Sequence, residues 1–412
     1  MGCLLYIDPG TGSMLFTILI SIVSSLLFFW KKLVIKLKFM ASGGRVTEEK
    51  DYLPYVIFSD SKRYWNVFYP ICEEFEKRGI ELEYMTASAD DPCLTQKYEH
   101  VHCQFIGEGN KAFARLNLLN AGIVLSTTPG LEVYQWKRSK NVGWYAHIFH
   151  TVDEALCYRM FGMDYYDAIL LTGEFQEQNI RKLEELRNLP AKETYVVGST
   201  LMDILKDKLE KSNFKKDSVN VTVLLAPSWG ESSILSRYGA TILRELVKTG
   251  YKIIVRPHPQ SMISEKEIIE PLMKAFPDSD SLQWNFDNDN FEVLQKADLM
   301  ITDFSGIIFD FALVFGKPIL YADTSFDPAP YDAAWVEGPL WRFEVLKDLG
   351  EPLTEEALPH LKETIDQLIG SSAKTQARDR VREEAWQYIG ESATRTVDYM
   401  VEKYRQLHGE GA

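Results

Sequence analysis

Residues 297–323, ADLMITDFSGIIFDFALVFGKPILYAD, decide how the chain is read. Leu299-Met300-Ile301-Thr302 is a short, unbroken apolar run, the pattern of a strand buried on both faces of a parallel sheet. Asp303-Phe304-Ser305-Gly306 follows as a small-residue turn at the carboxyl end of that strand. Ile307, Ile308, Phe311, Leu313 and Val314 then read as a buried helix, which Gly316-Lys317-Pro318 stops ahead of a second strand at Ile319-Leu320-Tyr321. Ligands of open α/β sheets bind beyond the carboxyl ends of strands. A helix opening on Ser and Gly also presents free backbone N–H groups and positive dipole to a phosphate. Taken alone, the same residues equally make an ordinary strand-to-helix turn with a Ser cap.

The same alternation runs outward in both directions. Toward the N-terminus, short apolar strands are expected at residues 55–58, 80–85, 101–106, 123–126, 142–148, 168–172 and 195–197, with a helix over 65–78 stopped by Gly79. A Lys- and Asp-rich stretch, 204–218, reads as a domain boundary, after which the pattern restarts with strands at 221–226 and 252–255 and helices at 240–248 and 265–276. The tail over 355–407 is charged, amphipathic and helical. The expected architecture is α/β: two α/β units in tandem, residues 50–210 and 218–370, with a C-terminal helical segment, 371–412, packing back.

Composition bounds the function. With 412 residues, 46% hydrophobic and 25% charged, the chain is globular and long enough for more than one core. A net charge of −14 argues against nucleic acid as a partner. Five scattered cysteines show no zinc-ligand spacing and read as free thiols, and neither a metal nor a cofactor is expected. Asp287-Asn288-Asp289 reads as a polar turn rather than a metal site. Residues 14–30, MLFTILISIVSSLLFFW, carry no charge and are followed by Lys31, Lys32, Lys36 and Lys38. That pattern predicts a single N-terminal membrane anchor within residues 1–40, with everything after it in the cytoplasm.

Candidate ligand-handling residues sit where strands end. Arg256-Pro257-His258-Pro259 follows a strand of the second unit, and its prolines fix where Arg256 and His258 point. Ala226-Pro227-Ser228-Trp229 ends that unit's first strand, and Trp229 faces either the cleft or the core. In the first unit, His147 and His150 lie three residues apart and point to opposite faces of a strand. His150, nearer the strand end, is the candidate general base. Gly198-Ser199-Thr200 with Asp203 reads as a helix cap or a ligand contact.

Together these pieces resemble the CDP-glycerol glycerophosphotransferase family of teichoic-acid-type polyol-phosphate transferases. The matching residues are Ala226-Pro227-Ser228-Trp229, Arg256-Pro257-His258-Pro259, Ala297-Asp298, Ile301 to Gly306, Phe309-Asp310-Phe311 and Lys317-Pro318-Ile319. His150, Tyr166-Asp167-Ala168, Gly198 and Asp203 fit a looser part of the pattern. The resemblance implies a GT-B fold, two Rossmann-like domains facing a cleft, and transfer of a glycerol- or ribitol-type phosphate from a CDP-alditol to a lipid-linked or cell-surface glycan hydroxyl, releasing CMP. By that resemblance His258 and the Ser305 turn would hold the donor pyrophosphate, and His150 would be the acceptor-side base or a second phosphate contact. Arg256, Gly306, Ser228, Trp229, Gly198 and Asp303 are the further candidate substrate contacts, Asp303 chiefly as a brace of the turn. Two positions depart from the family pattern: Gly306 stands where a second Ser is usual, and Thr151 where the residue after the His is commonly Gly or Ser. A nucleotide-sugar glycosyltransferase and a non-catalytic scaffold of an envelope-polymer complex are the alternatives, and a homo-oligomer is compatible with the sequence.

Overall fold

The computed structural model describes residues 52–214, 220–287, 289–322 and 326–409. Strands β1 (Leu53–Ser59), β2 (Leu82–Thr86), β3 (Val101–Phe105), β4 (Asn120–Ser126), β5 (Asn141–Ile148), β6 (Ala168–Leu171) and β7 (Glu193–Val196) form one seven-stranded sheet, ordered β3-β2-β1-β4-β5-β6-β7. Strands β8 (Thr222–Leu225), β9 (Lys252–Val255), β10 (Leu282–Trp284), β11 (Leu299–Thr302), β12 (Ile319–Ala322) and β13 (Gly350–Leu353) form a six-stranded sheet, ordered β10-β9-β8-β11-β12-β13. All pairings in both sheets are parallel. Each sheet is doubly wound, and its strand order reverses between β1 and β4, or between β8 and β11.

Strand alternation builds the layers. In β1, Tyr55 and Ile57 pack into a core with Phe68, Ile71 and Phe75 of the helix Trp65–Arg78. Val56 and Phe58 point the other way, toward Leu116 and Trp136. In the second sheet, Val223 and Leu225 meet Ile242 and Leu246, while Leu224 and Met300 meet Phe309, Phe311 and Leu313. Burial on both faces explains why these strands are uniformly apolar. At each reversal a hydroxyl ties the two central strands: Ser126 Oγ donates to the Phe58 carbonyl at 2.9 Å, and Thr302 Oγ1 to the Ala226 carbonyl at 2.8 Å. Lys317 has a local task, donating to the carbonyls of Leu294, Gln295 and Ala297 at 3.1, 2.7 and 2.6 Å. It thereby closes the helix Phe291–Lys296 just ahead of β11.

The last helix, Ser392–His408, returns to the first sheet, where Val397 and Met400 join the core of β1 and Tyr399 accepts from Trp144 Nε1 at 3.1 Å. Asp203 holds the crossing in place. Its carboxylate accepts from Trp386 Nε1 at 3.0 Å, Gly390 N at 2.8 Å and Ser392 N at 3.2 Å, supplying the cap that the helix lacks in its own sequence. Gly198 lies under the same crossing, with a positive φ of 92° and a Cβ position only 2.5 Å from the Gln387 carbonyl.

Several elements differ from the sequence expectation. The stretch expected as a boundary, 204–218, is partly helix, because Thr200–Lys211 continues from a Ser199 cap and buries Met202 and Leu205. The first helix of the second unit starts at Ile234 rather than residue 240, bending at Gly239, whose φ is 44°. The helix after the Asp303–Gly306 turn is regular only over Ile307–Phe309, then widens over Asp310–Val314. Strand β13 was not expected at all; its Gly-Glu-Pro-Leu carries only one bulky apolar residue. The membrane helix expected within 1–40 lies outside the described residues. Among the described residues, no helix is long and apolar enough to cross a membrane.

Candidate active site at the carboxyl ends of the two sheets

The loops after β1, β4 and β5 carry one half of the site, and those after β8, β9 and β11 the other. His150, just past β5, is half-buried. Its Nδ1 lies 3.0 Å from Thr127 Oγ1 and 3.2 Å from the Tyr158 hydroxyl, and its ring leans on Tyr64 at 4.8 Å between centroids. Two hydroxyls on one ring nitrogen fix the imidazole and leave Nε2 for a ligand. Burial, with the Arg63 charge adding to it, pushes His150 down to about 4. His147 instead points inward, enclosed by Phe149, Tyr158 and Tyr166, and burial pushes it down to about 3.

His258, just past β9, is half-buried beside Trp229, with ring centroids 6.4 Å apart. The Gln260 N–H donates to its Nδ1 at 3.1 Å, so in the neutral ring the proton sits on Nε2, a donor for an anionic oxygen. Burial, again joined by Arg63, pushes His258 down to about 4. Arg63 thus reaches both histidines electrostatically, one in each half of the site. It is exposed, and its Nε donates to Ser61 Oγ at 3.2 Å. The sequence reading missed it, although a basic pair, Lys62-Arg63, directly after a strand end was the available signal.

The remaining expected residues divide. Ser305 and Gly306 are half-exposed in the turn after β11, and Ser228 and Trp229 lie alongside at the end of β8. Asp303 is a brace: one carboxylate oxygen accepts from Ser228 N at 2.8 Å and the other from Ile234 N at 2.9 Å. Its oxygens are therefore turned to the backbone rather than to a ligand. Arg256 is drawn away by Asn285 Oδ1 and the Asp287 carbonyl, the latter at 2.8 Å. Gly198 sits under the C-terminal crossing, not at the histidines. The acidic turn is committed locally, since Asp289 pairs with Lys208 at 2.6 Å and caps Phe291 N at 2.9 Å.

The two halves meet beside His150. A Cβ on Gly306 would lie 3.0 Å from Thr151 Oγ1, so the two positions that depart from the family pattern are neighbours in space. Two residues further on, Asp153 pairs with Arg342 at 2.9 Å, and Arg342 also donates to the Phe304 carbonyl. Arg342 is 6% exposed. Burial works most strongly against its charge, but Asp153, Cys157 and Glu154 together more than offset this, and its pKa lies above the ordinary value.

Glu154, 1% exposed, accepts from Trp341 N at 3.2 Å and Asn179 Nδ2 at 3.0 Å. Burial, then the neighbouring Asp153, pushes it from an ordinary 4.5 to about 7. Between those values the folded chain keeps a proton that the unfolded chain releases, so Glu154 makes stability fall as pH rises through that window. Glu154→Gln is expected to flatten this slope and to stabilise the protein at pH 8 by about 1–3 kcal/mol relative to pH 5. Denaturant titrations of both proteins at the two pH values test this; parallel pH profiles would refute it.

Comparison with known proteins places the chain in a family. Residues 165–400 match the model described as CDP-Glycerol:Poly(glycerophosphate) glycerophosphotransferase. The minor teichoic acid biosynthesis protein GgaB of Bacillus subtilis (strain 168) is 33% identical over 161 residues, covering 38% of this chain and 15% of GgaB. The chain therefore aligns with only a small part of that relative. Among solved structures, the wall teichoic acid polymerase TagF soaked with CDPG superposes with a TM-score of 0.56 at 14% identity, covering 94% of this chain and 98% of the other. The UDP-GlcNAc 2-epimerase of Neisseria meningitidis bound to UDP-GlcNAc superposes with a TM-score of 0.57 at 13% identity, covering 85% of this chain and 100% of the other. Both likenesses show the fold: two parallel-sheet α/β domains as in GT-B glycosyltransferases. Since the family model matches more than half its length, the chain belongs to the CDP-glycerol:poly(glycerophosphate) glycerophosphotransferase family.

Proposed function

We propose that the protein transfers an alditol phosphate, of the glycerol or ribitol type, from a CDP-alditol to a hydroxyl of a lipid-linked or glycan acceptor, releasing CMP. The observation that carries this reading is the pair of imidazoles at the strand ends, His150 past β5 held by Thr127 and Tyr158, and His258 past β9 held by the Gln260 N–H, one from each sheet. The acceptor oxygen attacks the phosphorus bearing the alditol. The bond from that phosphorus to the oxygen bridging it to CMP breaks, and CMP leaves with the electron pair. His150 Nε2 takes the acceptor proton; for this its Nδ1–H donates to Thr127 or Tyr158. His258 Nε2–H, the Ser305 turn and Arg63 hold the diphosphate and stabilise the charge that builds on it. Transfer of this kind needs positioning and charge more than a covalent intermediate.

The apolar run at 14–30 would anchor the enzyme beside a lipid-linked acceptor. Recovery of the full chain in salt-washed membranes supports that placement, and recovery in the supernatant contradicts it. For the donor, a thermal-unfolding panel of CDP-glycerol, CDP-ribitol and UDP-GlcNAc is decisive. At about 100 times its Kd, the true donor adds about 2.7 kcal/mol of stability. Protection by UDP-GlcNAc and by neither CDP-alditol would favour a nucleotide-sugar transferase instead.

A further inference from the structure

Gly306 has an ordinary helical backbone, φ −60° and ψ −20°, which any residue adopts. A side chain there would press closely on its neighbour: a Cβ would lie 3.0 Å from Thr151 Oγ1 and 3.7 Å from Thr151 Cβ and Cγ2. The Thr151 hydroxyl therefore borders the space into which a side chain on residue 306 would grow. Thr151 is carried by the loop after β5 in the first sheet, and Gly306 by the turn after β11 in the second.

Neither backbone is free to drift. Arg342 grips Asp153, two residues after Thr151, and the Phe304 carbonyl, two residues before Gly306. His150, immediately before Thr151, is fixed by Thr127 and Tyr158. Thr151 is half-exposed and its hydroxyl forms no hydrogen bond with protein among the described residues, and the same holds for Ser305, which precedes Gly306. A hydroxyl without a protein partner, on a held loop next to His150 and facing the turn that bears Ser305, is arranged to serve a ligand.

We propose that the Thr151 hydroxyl binds the donor's diphosphate across the domain contact, doing from the first domain what a side-chain hydroxyl at position 306 would do from the second. The donor site at the Ser305 turn is then complete only while the two domains meet as they do here. Thr151 becomes a specificity-determining contact that couples diphosphate binding to closure.

This inference rests on the transferase reading for the identity of the donor, so the test uses two readouts. The full-length protein is compared with Thr151→Val, Thr151→Ser, Thr151→Gly and the double variant Thr151→Gly/Gly306→Ser. Calorimetry measures affinity for CDP, and CMP release measures kcat/KM with CDP-glycerol and CDP-ribitol. Thr151→Val keeps the side chain's size, and its unfolding midpoint is checked against the parent.

Loss of one hydrogen bond to a charged oxygen predicts about a 10- to 100-fold drop in CDP affinity and in kcat/KM for Thr151→Val and Thr151→Gly. Thr151→Ser is expected to stay within about threefold, and the double variant to recover at least tenfold over Thr151→Gly, because its hydroxyl returns from the other side. Unchanged CDP affinity and kcat/KM in Thr151→Val, or a double variant no better than Thr151→Gly, overturns the proposal. If Thr151→Val weakens CDP binding but the parent turns over no CDP-alditol, the hydroxyl's role stands and the transferase reading falls. A parent that neither binds CDP nor releases CMP overturns both.

Discussion

His150→Ala lowers kcat for CMP release by about 10²- to 10⁴-fold while leaving the affinity for the CDP-alditol within a few-fold, the effect of removing a positioned general base. The size of the effect follows from how the ring is held. Thr127 and Tyr158 share its Nδ1, Tyr64 leans on its face, and Nε2 is left as its reactive nitrogen. With a pKa of about 4 in the empty site, the ring is neutral at physiological pH and Nε2 keeps its lone pair; the diphosphate's negative charge, when bound, raises its basicity. Pre-steady-state CMP release measured alongside equilibrium donor binding separates the two constants. A variant with parental kcat, or one losing only donor affinity, would move the base elsewhere.

Arg342→Met costs about 3–5 kcal/mol of folding stability, because it strands the Asp153 carboxylate in the interior. The chain Asp153–Arg342–Phe304 is the buried tie between the loop bearing His150 and the turn bearing Ser305. Adding Asp153→Leu to Arg342→Met removes the stranded charge, and the double variant is expected to recover most of the lost stability. It does not recover activity, since the Phe304 carbonyl still lacks its donor and the turn is no longer pinned. Urea midpoints and kcat/KM for the single and double variants provide the check. A double variant that regains both would show that Arg342 only balances a charge; one that regains neither would show that packing dominates.

Much of this arrangement was legible in the chain, for reasons visible in particular residues. β11 and β8 are buried on both faces, so their apolar runs could not be hidden by alternation, and the turn after β11 announced itself in Asp303-Phe304-Ser305-Gly306. The strand-end position of His258 followed from the prolines around it. What stayed hidden depends on contacts between distant parts of the chain. Arg342 lies 189 residues from Asp153, and no local pattern marks it. Asp203 reads locally as part of a helix start, whereas its carboxylate caps a helix 189 residues away. Arg256 looked like a phosphate ligand beside His258, yet Asn285 and Asp287, an adjacent turn in space, take up its guanidinium. The stretch 204–218 reads in sequence as a boundary because its Lys and Asp mask the few buried apolar residues, Met202 and Leu205, that anchor the helix Thr200–Lys211.

The most direct test follows the nucleotide. Full-length protein is incubated with membranes carrying lipid-linked acceptor and with CDP-glycerol, CDP-ribitol or UDP-GlcNAc, and the released nucleotide is separated by chromatography. CMP from at least one CDP-alditol, matched by alditol phosphate on the acceptor and reduced in both His150→Ala and His258→Ala, is the predicted result. Release of a uridine nucleotide from UDP-GlcNAc, with no CMP from either CDP-alditol, would contradict it.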